Sequence, residues 1–284
     1  MSIDTLINLV VTTTLIEMMI AVGLGVTLAD VLAVAGSGRL VARAALANYV
    51  CVPAAAVALL LLFRVQPMTA AGFLIAAVCP GAPYGPPFTA IAKGNLPVSV
   101  GLMVVLAASS AFVAPLILYW LLPLMSGGDS LRVDVVKMVV TLFATQLLPL
   151  FAGLAVRQWH PNLAARLLKP ANLLGTILNL LMIGLIVSVQ YKTLLVIRPF
   201  GVVGILLLIL AALAAGWALG TPGEGNRKAM AITTSVRNVG VSLVIATSSF
   251  PGTPVVTATL AFAMFQTVVL ALVALGWGRL TPAS

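Results

Sequence analysis

The sequence predicts an all-α protein that is embedded in a membrane. Of the 284 residues, 15 are Lys or Arg and 6 are Asp or Glu, so that only 7% are charged, whereas a typical soluble domain has about 25%. Apolar residues make up 62% of the chain and the mean hydropathy is +1.19. That is more apolar surface than the interior of one soluble domain of this length can bury. Because a membrane-spanning helix needs about 20 apolar residues, the chain has room for several crossings.

Turn signals divide the chain into nine hydrophobic segments with short links. The links are rich in Gly, Pro, Ser and Asn, as at residues 36–38, 126–129 and 221–225. The predicted spans cover residues 5–35, 43–63, 69–93, 96–124, 133–156, 170–190, 197–219, 227–249 and 253–278.

The basic residues predict the orientation of these spans. The net charge is +9 and the pI about 10.3, but the charges are scattered singly between apolar segments, which argues against a nucleic-acid interface. With the N-terminus outside, nine basic residues would be cytoplasmic and five would be outside. The positive-inside rule therefore predicts an outside N-terminus and a cytoplasmic C-terminus. No signal peptide is predicted, because the first apolar run is followed by further spans.

Two predicted spans contain stretches that do not suit a continuous helix. Residues 79–87 of the third span include four prolines and two glycines, which remove backbone donors. Residues 233–240 of the eighth span form a polar island around Arg237. Each break is predicted about eleven residues into its span, and the two spans run in opposite directions. Such paired broken helices are typical of inverted repeats in secondary transporters.

Arg237 is the strongest functional candidate. A guanidinium at the membrane centre costs at least about 2.5–3.5 kcal/mol on insertion scales unless it is paired or hydrated. We therefore predict a role in a substrate or ion pathway. An ion pair with Glu17, inside the first span, is the structural alternative, and the two roles could coexist. Glu17 itself is a candidate for proton coupling, a counter-ion of Arg237, or a solvated residue near the outer interface.

Small polar residues are predicted to converge on the two breaks. Ser and Thr often hydrogen-bond their own helix backbone in membranes, so that a structural role for any single one is as plausible as a functional one. As a group they favour a binding site. The members are Asn48, Ser99, Thr233, Ser235 and Asn238.

The sequence contains no enzyme motif and predicts no cofactor. It has no Gly-rich phosphate loop, no His-Glu zinc pair and no acidic metal cluster. The single histidine, His160, lies in a predicted loop, and the two cysteines, Cys51 and Cys79, lie in different spans, so no metal centre is predicted. The classes of membrane protein that remain are a carrier, a channel and a sensor, and the broken helices favour a carrier.

Three stretches resemble motifs of the bile acid:sodium symporter (BASS) family. Cys-Pro-Gly at 79–81 and Ala-Lys-Gly-Asn-Leu-Pro-Val-Ser-Val at 92–100 resemble the family's Cys-Pro-Gly-Gly-Thr-Ala-Ser-Asn, Ala-Lys-Gly-Asp and Leu-Ser-Val segments. Residues 233–240 resemble its Glu-x-Gly-x-Gln-Asn-x-Gly, and Gly-Leu-Gly-Val-Thr-Leu at 23–28 resembles its Gly-x-Gly-Leu-Thr-Leu. The spacing between these motifs is similar within a few residues. The chain is identified as a bacterial member that lacks the first helix of ten-helix relatives.

The resemblance implies two domains. Residues 5–35, 133–156 and 170–190 would form a panel domain, and residues 43–63, 69–93, 96–124, 197–219, 227–249 and 253–278 would form a core domain. The third and eighth spans would cross at their unwound middles, with the substrate between panel and core.

The resemblance also places the family's sodium ligands on residues of this chain that differ in chemistry. The family's Ser-Asn pair is Gly85-Pro86 here, its Thr is Met103, its Glu is Thr233 and its Gln is Arg237. Asn48 and Ser99 remain as weak sodium candidates. We therefore predict that the guanidinium of Arg237 takes the place of a bound cation or meets an anionic substrate directly.

The predicted function is secondary transport of a small organic anion, a carboxylate, across a bacterial inner membrane by alternating access. Transport would be independent of sodium, and either facilitated or coupled to protons through Glu17. The alternatives are a sodium-driven organic anion symporter, a sensor or binding protein without transport, and an exporter of a metalloid oxyacid that uses Cys79. The predicted substrate-binding residues are Arg237, Asn238, Thr233, Ser235, Asn48, Ser99, Gly85 and Pro86.

Overall fold

The structure is a computed structural model that describes residues 2–126, 131–195 and 199–280. Within these ranges the secondary structure is helical, without strands. The helices are α1 (Ile3–Gly25), α2 (Leu28–Ala35), α3 (Gly38–Leu62), α4 (Pro67–Ala77), α5 (Gly85–Ile91), α6 (Leu96–Ser126), α7 (Val135–Trp159), α8 (Pro161–Leu195), α9 (Pro199–Leu219), α10 (Glu224–Ser235), α11 (Val239–Ser249) and α12 (Pro254–Leu280).

The helices match the predicted membrane crossings. In the described residues, eight stretches are long and apolar enough to span a bilayer, with α10 and α11 counted as one. The short helices α4 and α5 together make a further, broken crossing. The all-α membrane fold is thereby confirmed.

Two predicted boundaries were wrong. The segment 5–35 is not one helix, because Val26 is extended (φ −113°, ψ 141°) and a new helix starts behind Thr27. The Thr27 side chain accepts from the backbone N–H of Asp30, and the Asp30 carboxylate accepts from that of Thr27, which forms a capping box. The segment predicted at 170–190 runs from Pro161 to Leu195, since a proline is favourable at a helix start and Pro170 lies inside the helix without ending it.

Both predicted breaks are present, and both are shorter than the sequence stretches that signalled them. The third crossing is interrupted at residues 78–84, and Gly85, Pro86 and Pro87 already form the first turn of α5, where proline is tolerated. The eighth is interrupted only at residues 236–238. α4 has 11 residues and α10 has 12, so the breaks lie near the middle of a membrane's thickness.

Helix α1 packs closely on α7 and α8. Gly23 and Gly153 let the backbones of α1 and α7 meet, because a Cβ at Gly23 would lie 2.4 Å from the Leu150 carbonyl oxygen and a Cβ at Gly153 would lie 2.4 Å from that of Ile20. Small residues at such crossings are typical of membrane helix pairs. Two helices of the broken crossings have different main partners: α4 packs on α12, and α10 packs on α9.

Candidate functional site

The two breaks lie against each other and are joined through their backbones. The N–H of Asn238 donates to the carbonyl oxygen of Cys79 (2.7 Å), and the Asn238 side-chain amide donates to that of Gly81 (3.2 Å). Gly81 has φ +82°, and a Cβ there would lie 2.2 Å from the Ala107 nitrogen, so only glycine fits. Asn238 also accepts from the Val241 N–H and thereby caps α11. Several unwound backbone groups of the two breaks are therefore satisfied within the protein, as a membrane interior requires.

The guanidinium of Arg237 lies inside this crossing. The residue is 1% exposed. Its Nη1 donates to the carbonyl oxygen of Ala77 (3.1 Å) and its Nη2 donates to Oδ1 of Asn48 (2.6 Å). Ala77 is the last residue of α4, where carbonyl groups lack helical partners and the helix dipole is negative. The positive side chain therefore occupies a position where a cation is electrostatically favoured.

Gln266 of α12 holds the backbone of Arg237 from both sides. Its Oε1 accepts from the Arg237 N–H (2.7 Å), and its Nε2 donates to the Arg237 carbonyl oxygen (3.2 Å). Gln266 is itself buried. The unwound arginine is thus fixed by its main chain as well as by its side chain.

Asn48 is fully engaged in this arrangement. It lies in a π-helical turn, Ala47–Cys51, within α3, a distortion that often marks functional positions. Its Nδ2 donates to the Ala44 carbonyl oxygen (2.9 Å) and to the Thr234 hydroxyl (3.3 Å), while its Oδ1 accepts from Arg237. Asn48 therefore binds the guanidinium where the resemblance had placed a sodium ligand.

A second group of polar side chains lies where α5, α6 and α10 meet. The Thr89 hydroxyl donates to the Ser99 hydroxyl oxygen (2.9 Å) and also lies 3.0 Å from the Gly85 carbonyl oxygen. The Ser99 and Thr233 hydroxyls are 3.1 Å apart. All three side chains are buried. We call Thr89, Ser99 and Thr233 the hydroxyl cluster.

The remaining predicted site residues are distributed unevenly around the crossing. Gly85 faces the hydroxyl cluster, with room for a Cβ at 3.9 Å from the side chains of Ser99 and Thr233, and Pro86 is buried beside it. Ser235 is buried too, but its hydroxyl bonds carbonyl groups of its own helix. Met103 is buried and apolar.

Glu17 lies apart from Arg237. Neither of its carboxylate oxygens has a hydrogen-bond partner among the described residues, and Arg237 bonds Asn48 and Ala77 instead. The predicted alternative of an Arg237–Glu17 ion pair was therefore wrong. Glu17 faces Gly175 of α8 instead.

Three important site groups escaped sequence analysis. Gln266 is a lone polar amide within an apolar helix, which is itself a signal for a functional or structural contact in a membrane. Thr89 also lies beside the break, and its neighbours in sequence gave no hint that its hydroxyl would reach Ser99. The Ala77 carbonyl has no sequence signal, because any residue supplies that group.

Comparisons with known proteins agree with this architecture. The profile of the Sodium Bile acid symporter family matches residues 12–220. The probable sodium/metabolite cotransporter BASS2, chloroplastic, of Oryza sativa subsp. japonica is 22% identical over 236 residues, which are 82% of this chain and 55% of that relative. The chain thus spans about half the length of this curated relative. The family match covers most of the chain, including α4, α5 and the π-helical turn at Asn48, and the described helices form a multi-pass membrane fold with two broken crossings. This chain therefore belongs to the sodium bile acid symporter family.

Proposed function

We propose that the protein carries a small organic anion, a carboxylate, across a bacterial inner membrane without sodium. In this proposal the N-terminus is outside, the C-terminus is cytoplasmic, and alternating access results from the rocking of a core domain against a panel domain. The observation that supports sodium independence most directly is the position of Arg237. Its guanidinium uses the Asn48 Oδ1 and the α4 carboxyl-terminal carbonyl that a cation would otherwise use.

The energetics support a built-in cation over an exchangeable one. A bound alkali ion needs several oxygen ligands, and both polar groups of the Asn48 side chain already have partners: Oδ1 accepts from Arg237, and Nδ2 donates to Ala44 and Thr234. A second cation beside the guanidinium would also meet like-charge repulsion, which is strong where water is excluded. Charge-assisted hydrogen bonds of the guanidinium therefore take the place of ion coordination.

The charge balance around the crossing supports an anionic substrate. The carboxyl-terminal ends of α4 and α10 each place about half a negative charge at the crossing, and Arg237 offsets both. The amino-terminal end of α11 is capped by the neutral amide of Asn238, so that its partial positive charge remains. An anion that enters between the helices would find a net positive potential, as the half-helices of other carriers provide.

The packing of the helices supports the division into panel and core. α1, α7 and α8 contact one another extensively, while the broken helices contact α6, α9 and α12. Contacts between the two groups include those of α7 with α6, where Gln146 Nε2 donates to the Ser110 hydroxyl (3.3 Å), and those of α1 up to its middle, where Asn8 Nδ2 donates to the Thr247 hydroxyl (3.1 Å) and Leu15 packs on Gly240. We propose that these contacts of α1 close the crevice on the side of its amino terminus, as one state of the transport cycle.

The experiment is uptake of radiolabelled carboxylates into proteoliposomes. Lactate, succinate, benzoate and a bile acid serve as probes, each measured with an inward sodium gradient, with potassium and with choline. We expect uptake of at least one probe at the same initial rate in all three media. Arg237→Gln should abolish that uptake, whereas Arg39→Gln, which changes an exposed basic residue, should not.

Two outcomes would contradict the proposal. Unchanged uptake by Arg237→Gln would exclude a role for the guanidinium. If that variant does not fold, Arg237→Lys serves as the second variant, because it keeps the charge but loses the two-pronged geometry. Uptake that rises several-fold with a sodium gradient would exclude sodium independence.

Sodium-driven symport is the second candidate. The hydroxyl cluster, together with the Gly85 carbonyl, offers oxygen atoms within 3.1 Å of one another, and the rice relative is described as a sodium/metabolite cotransporter. If the sodium gradient accelerates uptake, Ser99→Ala should remove that acceleration. A binding protein without transport is the remaining alternative, which saturable binding of a probe without flux would identify.

A further inference from the structure

Glu17 is a buried acid without a partner. The residue is 9% exposed, and neither Oε1 nor Oε2 has a hydrogen-bond partner among the described residues. The carboxylate lies on the backbone of α8, since a Cβ built at Gly175 would be 2.3 Å from Oε2. The absence of a side chain at Gly175 therefore creates the space that the carboxylate fills.

The carboxylate also borders a cavity. This cavity has a volume of about 410 Å³ and lies between α1 and α8. It extends along the side of α1 that runs from Thr13 to Leu24. Its other lining residues, Thr13 excepted, are apolar: Ile16, Ile20, Leu24, Leu167, Pro170, Ala171, Leu174 and Leu178.

Among the described residues, no cation forms an ion pair with Glu17 from the helices packed against it. The α8 residues that line the cavity are uncharged, and the basic residues of α8 nearest to Gly175 in sequence, Arg166 and Lys169, lie at the part of the helix that packs on Gly25 and not at Gly175. α11 contains no ionisable residue. On α7, Lys137 and Arg157 lie near opposite ends of the helix. Tyr84, at the start of α5, is a titratable group within electrostatic range, and a phenol supplies no positive charge.

An ionised carboxylate in this position is energetically costly. Removing an ion from water costs several kcal/mol even after relaxation, and hydrogen bonds or a cation must offset that cost. In the described residues Glu17 has neither. The group is thus stable only if it gains a proton or if a positively charged species enters the cavity.

We propose that Glu17 binds the proton that drives transport of the anion. The inference rests on the proposed function. A proton from one side of the membrane bonds to an Oε atom of Glu17, the neutral acid stays at the cavity between α1 and α8 while the anionic substrate is bound, and the same O–H bond breaks to release the proton on the other side. One proton then crosses with each substrate molecule, and the ionised form, which would repel the anion, is avoided while the substrate is bound.

The experiment compares Glu17→Gln with the unchanged protein in proteoliposomes with an alkaline interior. The probes are the four carboxylates named above. We expect Glu17→Gln to lose accumulation driven by the pH gradient, down to the level without a gradient, and to keep exchange of internal for external substrate. Exchange moves no net proton, so a merely structural role would impair both processes alike. Glu17→Asp should retain part of the accumulation.

Infrared difference spectroscopy provides a readout that needs no substrate. Between acid and alkaline buffer, the unchanged protein should show a carbonyl band of a protonated carboxyl group that Glu17→Gln lacks, while the bands of the other five acids are common to both proteins. Gly175→Ala should shift the band, because the added methyl group displaces the carboxylate. Asp134→Asn is the matched control, since Asp134 is an exposed acid that caps a helix and Asn caps equally well.

Each outcome supports or overturns the inference. Accumulation that still follows the pH gradient in Glu17→Gln overturns it, and so do carboxyl bands that are identical in Glu17→Gln and the unchanged protein. Loss of exchange together with accumulation, without rescue by Glu17→Asp, assigns a structural role and overturns it as well. If the unchanged protein moves none of the carboxylates, the proposed function fails, while the infrared band still tests whether Glu17 takes up a proton.

Discussion

Replacing Gln266 with Leu should destabilise the crossing strongly. Leu has a similar size but cannot bond the main chain of Arg237, so that one buried N–H and one buried carbonyl lose the partners seen at 2.7 and 3.2 Å. Each unsatisfied buried group costs about 1–3 kcal/mol. Because the two groups belong to one residue and cannot both reach water, we expect a loss of about 2–6 kcal/mol in the free energy of unfolding.

The assay is thermal unfolding in detergent, followed with a thiol-reactive dye. Cys79 is 0% exposed and should react only when the crossing opens. With roughly 2 °C per kcal/mol for a chain of this size, Gln266→Leu should lower the melting temperature by roughly 4–12 °C.

The matched control is Thr267→Val, one position further along the same helix. The Thr267 hydroxyl bonds only the Ala263 carbonyl of its own helix (2.9 Å) among its recorded contacts, so its loss should change the melting temperature little. Equal melting temperatures for Gln266→Leu and Thr267→Val would refute the conclusion that Gln266 holds the unwound arginine in place.

Two further predictions concern glycines. Gly81→Ala should prevent folding or abolish uptake, because φ is +82° and the new Cβ would lie 2.2 Å from the Ala107 nitrogen; normal expression with normal uptake would contradict this. Gly153→Leu should separate α1 from α7 and lower the melting temperature, since a Cβ there would lie 2.4 Å from the Ile20 carbonyl oxygen, whereas Gly276→Leu, where nothing lies within 4 Å of a Cβ, should have little effect.

The sequence predicted the crossings and both breaks because those features follow from local chemistry. Long apolar runs require helices in a membrane, and the prolines near residue 80 and the polar residues around Arg237 interrupt them. The sequence-based start of the sixth predicted span at residue 170 was wrong, because Pro170 lies inside α8. Tertiary packing of a long helix outweighs one missing hydrogen bond. The sequence-based prediction also failed to find the helix start at Thr27, although the capping residues were present.

The site was predicted only in part. The sequence indicated that Arg237, Asn48 and Asn238 would meet, but it named Glu17, and not Asn48, as the possible partner of the guanidinium. That choice depends on which face of each helix points inward, and the apolar residues surround these helices so evenly that no polar face stands out. Gln266, which lies in the last helix, contacts Arg237 only through the tertiary fold.

The covalent attachment of Arg237 has an electrical consequence. A charge that crosses the membrane field exchanges about 2.3 kcal/mol per 100 mV of potential. A transported ion leaves the carrier on the far side, so the electrical work of its crossing is not reversed. A tethered guanidinium that moves inward with its helix must move outward again before the next cycle. Over a full cycle its electrical work therefore cancels. Membrane voltage can set the direction that the vacant carrier faces, yet it cannot drive net flux through this residue.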